Sequence, residues 1–312
     1  MTKFGKLEKN VSKNFQLFKT DCFVPRNDKI MKIKIAGVPE HFNLPWHLCI
    51  ENKEFEAQNI DLQWTNIPEG TGKMCQMLQN KETDIAIILT EGIIKDIEAG
   101  NDSSIVQVYV QSPLIWGIHV DAKSDFFKLS DLENKKAAIS RLGSGSHLMS
   151  IVNAKNQCWK TDNLEFEIVN TIDGAVESLT SKKADYFMWE RFMTKPLVDK
   201  GIFRKIADCP TPWSCFVIAV RNEILANNPK LIRIILNIIN KKTSEFKQIQ
   251  NIDKLLAERY DLKIEDIRDW LSITKWSQEN LKPETLNKIQ NQLFDLKIID
   301  KKSTFASIVK SI

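Results

Sequence analysis

The stretch that most constrains the fold is Asp84–Leu89 (DIAIIL), a nearly unbroken apolar run of strand length between two segments with helical spacing. A strand wet on one face alternates apolar and polar residues. A continuous run belongs to a strand covered on both faces, as in a parallel sheet flanked by helices. Its neighbours complete the pattern. Lys32–Gly37 (KIKIAG) alternates and stops at a glycine, His47–Glu56 reads as a helix, and Ile60–Asn66 reads as a second strand. The segment from Gly70 (GTGKMCQMLQN) opens on glycines and carries helical spacing through Met74 and Leu78, and a helix to about Ala99 follows Thr90-Glu91-Gly92. This β-α-β-α-β run implies right-handed crossovers and a parallel sheet.

A second unit repeats the order of the first. Lys135–Ser140 is a strand, LGSGSHLMSIVNAK a glycine-rich turn opening a helix, Phe166–Asn170 a strand, Gly174–Lys182 a helix, Asp185–Trp189 a short apolar strand, and Glu190–Lys200 a helix. Ile105–Val110 and Ile115–Val120 are strands on either side of Ser112-Pro113, and Cys215–Val220 (CFVIAV) is a late strand. The remainder reads as helices: Leu231–Ile249, Ile252–Tyr260, Ile264–Trp270 and Pro283–Leu296. Pro229 and Pro283 fall near helix starts, where a missing N–H costs least. At 312 residues the chain is long enough for two domains. The expected boundaries are an N-terminal extension over 1–30, a first lobe over 31–120 and 208–312, and a second lobe over 121–207. Closure is expected to hinge about residues 118–122 and 207–215.

Composition removes several classes. A net charge of +4 is too small for a clustered basic face, so no nucleic-acid partner is expected. No apolar run approaches the ~18 residues of a membrane span. Residues 1–30 are polar and lack the apolar core of a secretory signal, so they read as a partly disordered extension, or as sequence ahead of a true start at Met31. The six cysteines, Cys22, Cys49, Cys75, Cys158, Cys209 and Cys215, show no paired spacing, and together with the missing signal they suggest reduced thiols in the cytoplasm.

Two α/β lobes with the second inserted in the first, and a helical tail, make a clamshell whose strand ends face one cleft. The chain here resembles the type II periplasmic-binding-protein family, and within it the substrate-binding proteins of ABC transporters for aliphatic sulfonates, nitrate and thiamine precursors. The residues carrying the resemblance are GVPEHFNLPWHLCIENKEFEAQNIDLQW at 37–64, EGTGKMCQMLQNKETDIAIILTEG at 69–92 and SDLENKKAAISRLGSGSHLMS at 130–150, extended by WERFMTKPLV at 189–198 and RYDLKIEDIRDWL at 259–271. The resemblance runs from Met31 onward and implies a two-lobed α/β clamshell with its C-terminal helices packed on the first lobe. It also implies a small organic ligand. The missing export signal departs from the family pattern and leaves an ABC permease partner in doubt.

The candidate ligand residues follow from cleft-facing loops. Gly143-Ser144-Gly145-Ser146-His147 opens a helix, whose free N–H groups and positive dipole end favour an anion, and Arg141 could add a bidentate contact. On the plainer reading Ser144 or Ser146 caps the helix and Arg141 is a surface charge. Gly70, Thr71 and Gly72 follow the same logic in the first lobe, or form a turn with a Thr cap. In the resembling family the loop after the first strand contributes to the cleft, which nominates His41, Phe42, Asn43 and Trp46; Trp46 could equally begin a helix and pack in the core. Thr90 and Glu91 end the third strand, where Glu91 could select a cationic or hydroxyl group or cap a helix. Gln111, Ser112, Trp116, Trp189 and Glu190 lie near strand ends. Trp213 and Ser214 sit in a Pro-rich crossing, where a Trp is more often core than platform.

Catalytic motifs are absent from the sequence: no H-E-x-x-H, P-loop, G-x-S-x-G or zinc spacing. No cofactor or metal is expected. The sequence reading is therefore a cytoplasmic binder closing two lobes on an anionic organic molecule. The alternative is a cytosolic enzyme on the same fold, of the thiamine-pyrimidine or menaquinone-pathway type, with Glu91, Glu190 or His147 as its acid or base. A regulatory effector domain is disfavoured because no helix-turn-helix segment stands out.

Overall fold

A computed structural model describes residues 30–312. The expected N-terminal extension and Cys22 lie outside the described residues, apart from Ile30. In chain order the elements of the first half are β1 (Met31–Gly37), α1 (Leu44–Glu51), β2 (Ile60–Asn66), α2 (Thr71–Gln79), β3 (Ile85–Leu89), α3 (Thr90–Glu98) and β4 (Ser103–Val110). There follow β5 (Ile115–Asp121), β6 (Ala137–Ile139), α4 (Gly145–Asn156), β7 (Phe166–Ile168), α5 (Ile172–Thr180), β8 (Tyr186–Glu190), α6 (Lys195–Asp199) and β9 (Phe203–Pro210). The chain closes with β10 (Phe216–Arg221) and the helices α7 (Asn222–Asn227), α8 (Pro229–Glu245), α9 (Ile252–Tyr260), α10 (Ile264–Ile273), α11 (Pro283–Asp295) and α12 (Phe305–Ile308).

The strands form two five-stranded sheets of the same design, β2-β1-β3-β10-β4 and β7-β6-β8-β5-β9. In the first, β1 pairs in parallel with β2 and β3, while β10 runs antiparallel between β3 and β4. In the second, β6 pairs in parallel with β7 and β8, while β5 runs antiparallel to β8 and β9. The strands of the β-α-β-α-β run are thus parallel as expected, and the antiparallel strand that joins them makes each sheet mixed. The antiparallel strand in each sheet is the one that has just crossed from the other lobe, so it enters from the opposite end.

The lobe boundary also moves. The sequence reading kept 115–120 in the first lobe, but β5 pairs only within the second sheet, Trp116 opposite Glu190 and Cys209. The second lobe spans 115–210 and the crossings are 111–114 and 211–215, displaced from the expected hinge at 118–122. One strand escaped the sequence reading, β9, because its residues alternate weakly and it runs into a proline; pairing with β5 gives it its form.

The continuous apolar strands are buried as their composition requires: β3 and β10 lie inside, with Ile87 and Ala219 fully covered. The late helices pack on the first lobe. Tyr109 O accepts from Ser277 N, Lys275 O from Gln111 N and Ile105 O from Lys310 N, so the tail zips along β4 and its exit. No helix among the described residues is long and apolar enough to cross a membrane. Ile87→Ala should cost about 2–5 kcal/mol in denaturant unfolding, as a large-to-small change in a closed core. Ile168→Thr, on an edge strand where Ile168 is 51% exposed, should stay within ~0.5 kcal/mol.

Candidate functional site

Ligands of open α/β sheets sit beyond the carboxyl ends of strands, and here two sets of such ends face each other. β1 leads into Val38 and Glu40, β3 ends at Leu89, β6 leads into Ser140 and Arg141, and β8 ends at Glu190; all of these line one cavity between the lobes, of about 60 Å³. Its walls also include Glu69, Gly70, Thr71, Leu114, Trp116, Ser144, Gly145, Ser146, Trp189 and Phe216. An adjoining recess shares Thr71, Leu89, Ser144 and Gly145 and adds Glu91, Lys95, Gly143 and His147.

The lobes are shut on this cavity. Arg141 of the second lobe donates from Nη1 to Glu69 O of the first at 2.8 Å, and Lys95 Nζ reaches Gly143 O at 3.4 Å. Gly145 sits tightly between the two lobes. A Cβ there would lie 2.7 Å from the Trp116 ring and 3.2 Å from Leu89 of the opposite lobe, so only glycine admits the start of α4 this far into the cleft.

At that helix start the serines are partly committed. Ser144 caps α4, its Oγ accepting from His147 N at 3.3 Å, and Ser146 Oγ accepts from Ser140 N at 2.9 Å. Gly143 N donates to His147 Nδ1 at 3.0 Å, so a neutral His147 carries its proton on Nε2. Burial, then Lys95, holds His147 below the usual histidine range.

The acidic groups are the unexpected part. Glu190 is 4% exposed; its Oε2 accepts from Phe192 N at 2.9 Å and Met193 N at 2.8 Å. Burial, reinforced by the charge of Glu40, pushes its carboxyl up to about 8. Glu40 keeps some open surface on the cleft side, yet the protein around its carboxyl desolvates it enough to lift it to about 7. Glu91 is lifted to about 7 by burial, against the pull of a 2.7 Å hydrogen bond from Trp213 Nε1. Trp116, 4% exposed, leaves its indole Nε1 without a partner.

The cavity therefore brings together Gly70, Thr71, Trp116, Arg141, Ser144, Gly145, Ser146, Trp189 and Glu190 from the sequence expectations, with Glu91, Gly143 and His147 beside it. The others go elsewhere. Gly72 lies behind Arg141, where a Cβ would meet the guanidinium at 2.5 Å. His41, Phe42, Asn43 and Trp46 are core: Phe42 packs 5.2 Å from Phe216 and 5.1 Å from Trp270, ring to ring, and Asn43 Nδ2 ties back to Val38 O at 2.8 Å. The chain turns inward one residue after Glu40, burying the aromatic side of that loop. Thr90, Gln111, Ser112, Trp213 and Ser214 serve the crossings: Thr90 Oγ1 donates to Ser214 O at 2.6 Å, Lys275 N to Ser112 Oγ at 3.1 Å, Gln111 N to Lys275 O, and Trp213 anchors on Glu91. Sequence reasoning missed Glu40 and Glu69, since a glutamate in a loop reads as solvated; their positions directly after β1 and before the Gly70 turn were the available signal. Among the described residues no group of His, Cys, Asp and Glu is arranged to hold a metal ion.

Residues 116–209 match the model of the Ca3427-like PBP family. Over 90% of this chain and 96% of the other, the structure is similar to the Candida albicans CA3427 gene product, with 26% identity and a TM-score of 0.83; that protein is described as defining a new family with the generic periplasmic binding protein fold. The chain has the type II periplasmic-binding-protein fold. It is also similar to the alkanesulfonate-binding protein SsuA of Xanthomonas axonopodis pv. citri bound to MOPS, at 14% identity over 91% of this chain and 99% of that one (TM-score 0.77). SsuA of Escherichia coli, a periplasmic aliphatic sulphonate binding protein, aligns at 17% identity over 90% and 92% (TM-score 0.69). No curated protein matches the chain significantly. The likeness to both SsuA proteins concerns fold.

Burial raises the three carboxyls of Glu40, Glu91 and Glu190 above the ordinary carboxylate range, so the folded state takes up protons. The favourable effect is full below the unfolded carboxyl range and is lost as pH rises toward about 8, where Glu190 ionises. The melting temperature should fall between about pH 5 and pH 8, and Glu190→Gln should flatten that decline in a differential scanning series.

Proposed function

We propose that the protein is a solute-binding protein that captures a small organic molecule between its lobes and releases it by reopening. The supporting observation is the shut cleft itself: a cavity walled by strand ends of both lobes and bridged by Arg141 to Glu69 O. An interlobe cavity of this kind, with two tryptophans and a few converging polar groups, has the make-up of a small-molecule site. Trp116 and Trp189, their ring centroids 6.4 Å apart and edge to face, offer surfaces for a flat or apolar portion. An anionic or acceptor end would face Arg141 and the N–H groups that open α4. Closure moves the lobes about the crossings at 111–114 and 211–215. Delivery of the solute to an ABC-type permease is the role this reading carries over from sulfonate-binding relatives of the fold.

The buried carboxyls support a second reading, an enzyme on the same fold. Glutamates held near neutrality inside a cleft are what general acid–base chemistry requires. The two readings part on the fate of the ligand.

A thermal-shift screen of sulfonates, carboxylates, nitrate, phosphates, pyrimidines and thiamine precursors should give at least one stabilising hit, since ligand at 100 times its dissociation constant adds ~2.7 kcal/mol. Arg141→Ala should weaken that hit at least tenfold. Gly145→Leu should abolish it while the protein still melts cooperatively, because the side chain props the lobes apart. Ligand recovered unchanged by mass spectrometry fits the binder; its conversion supports the enzyme.

A further inference from the structure

Glu40 enters the cavity from the first lobe and Glu190 from the second, each at the carboxyl end of a strand of its own sheet. Neither has a cation. Arg191, the nearest base in sequence to Glu190, pairs with Asp208 at 3.1 Å, and Arg141 spends Nη1 on Glu69 O. Among the described residues, no basic nitrogen lies within 4.0 Å of either carboxyl. Glu190 is nailed in place through Oε2, and its Oε1 accepts no hydrogen bond among the described residues. A separate feature concerns another part of an occupant: the indole Nε1 of Trp116, in the wall of this cavity and almost wholly buried, has no partner and would take an acceptor. The cleft thus holds, from opposite lobes, two acids without a cation and one buried indole donor without an acceptor. Buried polar groups of this kind are normally satisfied. Closing the lobes with both acids ionised would set like charges in a dry space.

We infer that Glu40 and Glu190 form a two-lobed clamp for a nitrogen base, so that the solute carries an amine, amidine or aminoheterocycle whose cationic N–H group lies between the two carboxyls. This rests on the cleft being the ligand site, and it assigns the other end of the solute to a class different from sulfonate or nitrate. The face of Trp189, half-exposed to the cleft, supplies a surface that attracts a cation. When the cleft is empty, a proton on the pair replaces the ligand's charge. Burial comes first in holding this proton, then the charge of Glu40 acting on Glu190 across the cleft, with Arg191 opposing it at Glu190; Cys215 and Tyr260 lie near Glu40, while Glu69 and Arg141 line the same cavity and Glu91 the recess beside it. Binding of a fixed cation then expels the proton, and affinity rises with pH until both acids are ionised.

The test uses three probes of one shape, benzamidinium, benzamide and benzenesulfonate, titrated by calorimetry into the full chain at about pH 7. Benzamidinium should bind at least tenfold more tightly than benzenesulfonate. Titration in two buffers of different ionisation enthalpy should show net proton release, which disappears at about pH 9. Glu40→Gln and Glu190→Gln should each weaken benzamidinium at least tenfold and leave benzenesulfonate within twofold. The proton count needs no variant, so it stands if a glutamine variant misfolds. Tighter binding of benzenesulfonate, benzamidinium binding without proton release, or unchanged affinity in both folded variants overturns the clamp, as does absence of benzamidinium binding. A solute from the metabolite screen whose affinity still falls in Arg141→Ala would meanwhile leave the binder reading intact, so the two failures are told apart.

Discussion

The geometry of this protein depends on two short crossings, because they alone decide that two separately formed sheets present their strand ends to each other. At 111–114 and 211–215 the chain passes twice between lobes, and the second passage is fastened to the first lobe. Thr90 holds Ser214 O and Cys215 O, Glu91 holds the Trp213 indole, and the Thr211 hydroxyl accepts from Leu114 N and donates to Trp213 O. Bonds made inside the crossings rather than across the cleft let the lobes swing without unravelling either sheet. Across the cleft the hydrogen bonds are few, Arg141 to Glu69 O and Lys95 to Gly143 O.

A second set of contacts lies outside the cleft. Lys263 and Asp199 meet at 2.8 Å and Lys195 and Asp266 at 3.8 Å, joining α10 of the first lobe to α6 of the second. These side chains are partly solvated, and such pairs contribute little each. They orient the closed arrangement, while the energy of closure falls to what occupies the cavity. The walls of the cavity carry two acids without a cation and an indole N–H without an acceptor.

The comparison with known proteins fits this division. Similarity to the Candida albicans protein spans both lobes, and the family match falls on 116–209, almost the whole of the second lobe. The sulfonate-binding neighbours share the architecture at 14% and 17% identity. At that distance the arrangement of strands is retained while the side chains that line the cleft are free to differ, and Glu40 and Glu190 are two such lining residues.

Much of the fold was legible in the residues. The apolar run of β3, the glycine that ends β1 and the glycine-serine turn before α4 each obey local rules of burial and capping, and local rules act on neighbours in sequence. The same rules located Arg141, Trp116 and the Ser144–Ser146 turn. What they could not supply was the destination of β5, whose partners β8 and β9 lie some 70 to 90 residues away, or the direction of the loop after β1. Its residues His41, Phe42, Asn43 and Trp46 are nominated for the cleft by the resembling family's use of this loop, with Trp46 left open as core, yet all four turn into the core, where their apolar surface is covered. The glutamate just before them, dismissed by its charge, is left facing the cavity. The sequence alone determined which segments form strands and helices, since periodicity and capping are local. Only the tertiary structure decided which polar groups end up buried without partners, because desolvation depends on what folds over a residue from elsewhere in the chain.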